Sequence, residues 1–147
     1  MKIHQLSVFL ENKPGCLSAP CRALAEAGIN IHTLSLADTK QFGILRLIVR
    51  DWQQAKTVLE SHGNVVNVAE VLAIEVEDKP GGMASVLEGI ERAGLNIEYM
   101  YAFTIRRGDR AILVFRFEDA EKAAQALSKA GINVIDSVAL YDLVEKG

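Results

Sequence analysis

Asn12-Lys13-Pro14-Gly15 opens a stretch that closes at Ala27-Gly28-Ile29-Asn30-Ile31, and Asp78-Lys79-Pro80-Gly81 opens another that closes at Ala93-Gly94-Leu95-Asn96-Ile97. The openings lie sixty-six positions apart, and so do the closings. Equal internal spacing marks a duplicated unit rather than two chance turns. A period this long makes each copy a small folding domain, not one turn of a solenoid. The fold of the chain therefore follows from reading one copy outward from its Pro-Gly turn.

Before each turn apolar residues alternate, at Leu6, Val8 and Leu10 and again at Leu72, Ile74 and Val76, the period of a strand with one buried face. After it they recur at helical spacing, at Leu17, Cys21 and Leu24 and at Met83, Leu87 and Ile90. Gly28 and Gly94 stand where a left-handed helix cap belongs. The copies differ at Pro20 against Val86. Proline has no amide hydrogen, so Pro20 should delay or bend the opening turn of its helix.

Two strands follow each cap, at about residues 30–38 and 43–49 and about 96–104 and 111–117 by the same alternation. Asp38-Thr39-Lys40-Gln41 and Arg107-Gly108-Asp109 read as the hairpin turns between them. A second helix starts at Asp51 and at Asp119, each a plausible N-cap, and stops at Gly63 and Gly131. Trp52, Ala55 and Leu59 form its apolar stripe in one copy, Ala120, Ala123 and Leu127 in the other. Final strands are expected at about 65–69 and 133–142. Each copy reads β-α-β-β-α-β, an α+β ferredoxin-like unit whose antiparallel sheet carries its helices on one face. The expected domains are residues 1–69 and 70–147. No Pro/Gly/Ser linker parts them, and Val65 to Val76 is a nearly continuous extended run, which predicts rigid coupling.

Composition removes several classes of function. With 147 residues, half of them hydrophobic, the chain can build ordinary globular cores. Copies of roughly 65–70 residues are only marginally stable alone, so they should bury surface against each other or a second chain. A net charge of −3 offers no basic excess for nucleic acid or an anionic membrane. No apolar run approaches the ~18 residues of a membrane span, and the first residues are not a signal-peptide core, so a cytoplasmic protein is expected. Cys16 and Cys21 make no disulfide framework; five positions apart on a helix they point about 140° away from each other. They read as small buried residues, with a reactive Cys16 beside the turn as the second reading. His4, His32 and His62 are scattered without metal-ligand spacing, and nothing calls for a cofactor. No nucleophile with a placed base assembles from neighbouring motifs, so no enzyme is expected.

The repeated motif has a chemistry of its own. Gly15 and Gly81 sit where a strand turns into a helix, and glycine leaves amide groups approachable there, a geometry suited to a carboxylate. Asn12 or Asp78, three residues earlier, can accept hydrogen bonds from an α-ammonium group. The plain alternative is that Pro-Gly is a good turn and Gly-Ile-Asn a good helix stop. Tyr99, Tyr101 and Phe103 alternate along one strand, where the first copy has Thr33, Ser35 and Ala37. That stripe reads as core or interface packing, or else as the wall of an apolar ligand site. Arg106, Arg107 and Arg110 cluster at one hairpin and read as a solvated tip or a partner contact.

Asn12-Lys13-Pro14-Gly15-x-Leu17 with Leu24-Ala25-x-Ala27-Gly28-Ile29-Asn30-Ile31 resembles the signature of ACT domains, and the second copy resembles it equally well. The resemblance covers essentially the whole chain and is greatest to small stand-alone proteins of two tandem ACT domains. It implies the ferredoxin-like order already read, pairing of units side by side, and an amino acid bound where two units meet. It also implies that Asn12, Gly15 and Asn30, and Asp78, Gly81 and Asn96, contact the effector, with Cys16, Leu17, Gly82 and Met83 beside them in the glycine loops. Serine-sensing members carry a histidine two residues before the first Asn; Leu10 and Val76 stand there, which disfavours serine. The resemblance thus implies a non-enzymatic, allosteric, amino-acid-binding regulator of amino acid metabolism, a homodimer acting on an enzyme in trans. The alternative is a protein-interaction subunit like the small subunit of acetohydroxyacid synthase.

Overall fold

The computed structural model describes residues 2–38 and 40–146. Its elements run β1 (Ile3–Glu11), α1 (Ser18–Glu26), β2 (Thr33–Asp38), β3 (Phe42–Ile48), α2 (Trp52–Ser61), β4 (Val65–Glu77), α3 (Gly82–Arg92), β5 (Ile97–Arg107), β6 (Arg110–Phe117), α4 (Ala120–Lys129), β7 (Val134–Ile135) and α5 (Ser137–Lys146). The chain divides into two compact units, one from His4 to Ala69 and the other containing Lys2, Ile3 and residues 70–146. β4 contributes residues to both.

In the first unit the strand order is β4-β1-β3-β2, and in the second it is β7-β4-β6-β5. Both are antiparallel sheets in the ferredoxin-like order expected from the alternation. Strand parity puts one face of each sheet against its helices. In the first unit Leu6, Val8 and Leu10 of β1 and Leu45 and Leu47 of β3 pack with Leu24, Ala55 and Leu59 of α1 and α2. In the second, Leu72, Ile74, Val76, Phe115 and Phe117 pack with Ile90, Ala123, Ala124 and Leu127 of α3 and α4. Asp51 and Asp119 cap α2 and α4 as their positions predict, accepting hydrogen bonds from the amides of Gln54 (3.3 Å) and Lys122 (3.1 Å).

The structure departs from the sequence reading in three places. The final strand was expected to run to residue 142, but β7 ends at Ile135. The Asp136 carboxylate accepts a 2.7 Å hydrogen bond from the Val138 amide and its carbonyl accepts from Leu140, so the chain turns into α5. Second, α1 begins at Ser18, whereas α3 begins at Gly82, the counterpart of Cys16. Pro20 cannot donate to the Cys16 carbonyl, so the opening turn lacks that rung, although Ala19 still donates to the Gly15 carbonyl at 3.1 Å and Leu17 keeps helical φ and ψ. Third, the second hairpin is two residues longer. Leu36 pairs with Leu45, and sixty-six positions on Ala102 pairs not with residue 111 but with Leu113, after a bulge between Ala102 and Arg106. Of the first hairpin's expected turn, Thr39 lies outside the described residues.

Candidate functional site

Both Pro-Gly loops are built by the same backbone device. Gly15 (φ +89°) and Gly81 (φ +84°) are left-handed, a conformation an L side chain adopts only with strain. Their carbonyls accept from Ala19 (3.1 Å) and Ser85 (2.9 Å) at the helix starts. Lys13 reaches back to Glu11 at 2.7 Å and Lys79 to Glu77 at 2.7 Å. The lysine ammonium, by hydrogen bond and charge, holds each glutamate below the usual carboxylate range. Beyond that the loops diverge.

In the first unit the loop borders a cavity of 360 Å³ lined by Leu10, Asn12, Lys13, Gly15, Leu17 and Leu36, with Glu11, Pro14 and Gly43 completing it. The Asn12 side-chain amide donates to the Lys40 carbonyl (3.3 Å) and its backbone amide to Gln41 (2.9 Å), fixing the side chain at the cavity mouth. That orientation leaves the side-chain oxygen of Asn12 as an acceptor. The Gly15 and Leu17 amides donate to nothing among the described residues. Leu17 and Leu36 remain 40% and 49% exposed and form the apolar wall. Gly43 makes room for it, since a Cβ there would stand 3.3 Å from Leu36 Cδ1.

In the second unit the loop meets a 160 Å³ cavity lined by Glu77, Asp78, Lys79, Asp109 and Arg110, without an apolar wall. The lengthened hairpin folds its arginines back: Arg106 pairs with Asp78 at 2.6 Å, and Arg107 with Glu75 at 2.9 Å. The arginine cluster is a solvated tip, each arginine about half exposed, that also carries ion pairs within its own unit. Met83, the counterpart of Leu17, lies within α3 and packs against the core. Gly82 is buried, and a Cβ on it would come within 2.0 Å of the Glu77 carbonyl oxygen. It lines a separate 270 Å³ cavity along α3 with Ser85, Gly89, Arg92 and Asn133.

Of the residues singled out by sequence, the structure gathers Asn12, Gly15 and Leu17 around one cavity. Asp78 and Gly82 line two different ones, and Gly81 and Met83 line neither. Asn30 and Asn96 are exposed in the segments after α1 and α3 and line none of these three cavities, and Cys16 is spent on the turn, its amide donating to Lys13 (3.2 Å). Sequence reasoning passed over Leu10, Leu36 and Gly43. A glycine inside a strand was the available signal, because it marks a close approach. Tyr99 and Tyr101 sit opposite Arg116 and Val114, on the sheet face turned away from α3 and α4, and Phe103 is buried. His4 stacks on Trp52 at 4.6 Å. Cys16 and Cys21 are free thiols, and burial raises that of Cys21. Among the described residues no His, Cys, Asp and Glu group can hold a metal, and no helix is long and apolar enough to cross a membrane.

Two ferredoxin-like units in tandem, each with a left-handed glycine between its first strand and first helix, define the class of protein. A family profile described as an ACT domain pair matches residues 1–144, and the chain belongs to that family. Protein BT0572 from Bacteroides thetaiotaomicron is 35% identical over 96% of each chain and superposes with a TM-score of 0.87. The regulatory subunit of aspartate kinase from Thermus thermophilus, in its ligand-free form, shares the fold at 20% identity and a TM-score of 0.64, over 88% of this chain and 93% of that one. The acetolactate synthase small subunit of Buchnera aphidicola subsp. Baizongia pistaciae (strain Bp) is 28% identical over 80 residues, 54% of this chain and 50% of its own. The chain spans about half the length of that curated relative.

Proposed function

We propose that this chain is a non-enzymatic regulatory protein of the cytoplasm that binds an amino acid with an aliphatic side chain at the glycine loop of its first repeat. The observation that carries this reading is the 360 Å³ cavity whose wall is Leu10, Leu17 and Leu36 and whose mouth is Asn12 and Gly15. The Asn12 side-chain oxygen receives the α-ammonium, and the loop amides at Gly15 and Leu17 face the α-carboxylate. The two charged residues of the cavity, Glu11 and Lys13, pair with each other at 2.7 Å, so against Leu10, Leu17 and Leu36 leucine, isoleucine or valine loses less on burial than lysine, aspartate or serine. In this reading the ACT units are residues 1–69 and 70–147. A further ACT unit closes over the ligand, the chain works as a homodimer, and ligand binding biases how units pair and so acts on a separate enzyme. Thermal-shift screening of the full chain against the twenty amino acids tests it. Branched-chain amino acids should raise the melting temperature with a concentration dependence that follows their affinity. Absence of any shift at millimolar concentration overturns the reading.

A second reading is favoured by one observation, the match to an acetolactate synthase small subunit. The chain would then be a subunit that contacts its enzyme directly, through sheet edges. Co-purification of the enzyme without added amino acid, from cells carrying the untagged enzyme, separates the two.

A further inference from the structure

We propose that the chain carries one effector site, in the first repeat, and that the second repeat is closed by its own side chains. This rests on the loop reading above and decides how many ligands a chain takes. Three independent differences between the repeats point the same way.

The first is the residue two positions after each glycine. Leu17 is 40% exposed and lines the cavity. Its counterpart Met83 is drawn into the core cluster instead. The second is the wall. Leu10, Leu36 and Gly43 have Val76, Ala102 and Ala111 as counterparts, the last two placed by the strand registers; the leucine-walled cavity gives way to one of 160 Å³ with only charged residues around it, and the neighbouring 270 Å³ cavity along α3 is bordered by Glu75, Glu77, Arg92 and Arg110. The third is the two-residue insertion in the second hairpin. It brings the Arg106 guanidinium to 2.6 Å from Asp78, the carboxylate that would otherwise meet a ligand's ammonium. Arg107 on the mostly buried Glu75 anchors the same hairpin. Arg106 and Asp78 are both about half exposed, so their pair alone hinders a ligand only a few-fold. Closure comes from the pair acting in a loop that has already lost its apolar wall. An internal guanidinium thus occupies the place of the ligand's cation.

The test is isothermal titration of the full chain with leucine, valine and alanine. The native chain should take one equivalent; two equivalents overturn the proposal. Leu17→Ser should weaken that site about ten-fold without lowering the melting temperature of the ligand-free chain, and unchanged affinity counts against the role of the apolar wall. Arg106→Ala alone should leave the stoichiometry at one, because the apolar wall is still missing, and a second equivalent as tight as the first overturns the part given to the wall. A ligand-free arm keeps the two readings apart. Guanidinium resonances of Arg106 should show slowed rotation that Asp78→Asn abolishes. If they are the same in both proteins, the closure fails whatever binds. If Arg106 is held but no amino acid binds the native chain, the effector reading fails and the closure stands.

Discussion

At the scale of single residues, equivalent positions in the two repeats carry different constraints. Gly15 is left-handed but open, with nothing within 4 Å of where a Cβ would stand. Gly15→Ala should therefore cost only the backbone strain of about 1–2 kcal/mol, while disturbing the loop amides and weakening ligand binding. Gly82 has no positive φ, yet its Cβ would collide with the Glu77 carbonyl at 2.0 Å. Gly82→Ala should cost about 1–3 kcal/mol through displaced backbone, measured by urea denaturation, and should leave first-repeat binding intact. The Glu11–Lys13 pair makes a prediction in pH. Lys13 depresses the folded-state pKa of Glu11, so its contribution is present above the unfolded carboxylate pKa and is lost as pH falls through the folded value. Both groups are exposed, so the readout is the titration itself. Carbon-13 NMR should find Glu11 titrating below an ordinary glutamate, and Lys13→Met should return it to the ordinary range.

At the scale of elements, helix starts decide where the chain goes. Asp51 and Asp119 were legible because each precedes an apolar stripe at helical spacing and its carboxylate has a vacant amide to accept from two or three residues on. Asp136 does the same for α5, yet there Val134, Ile135 and Val138 suggest continued strand and mask the cap. A two-residue strand followed by a capped helix wins because the Asp136 carboxylate meets the Val138 amide at 2.7 Å and Leu140 then buries completely. Asp136→Ala should cost about 1 kcal/mol of stability, and hydrogen exchange should show the loss concentrated in residues 137–146. The delayed start of α1 was equally legible, since a proline without an amide hydrogen acts locally. That Leu17 lines a cavity was not, because Leu36 and Gly43 come from strands more than eighteen positions away.

At the scale of the whole molecule, the repeats are alike in fold and unlike in site. Leu59 and Leu127 occupy the same place in the two cores and are both fully buried. Leu59→Ala and Leu127→Ala should each cost about 2–5 kcal/mol and by similar amounts, as chemical denaturation would show, whereas Asn12→Ala and Asp78→Ala should differ in their effect on ligand binding. Fold tolerates the divergence because a core needs only apolar side chains at the right period and volume. A binding loop depends instead on a few atoms held at set distances. The sequence by itself determined the duplication, the βαββαβ order, the caps of α2 and α4 and the left-handed glycines, all of which follow from periodicity and local backbone chemistry. Only the tertiary structure decided that Asn12, Leu17 and Leu36 share a cavity and that Arg106 closes on Asp78. Those groups meet through strand register and a two-residue hairpin insertion, and such contacts are set by the packing of segments distant in the chain.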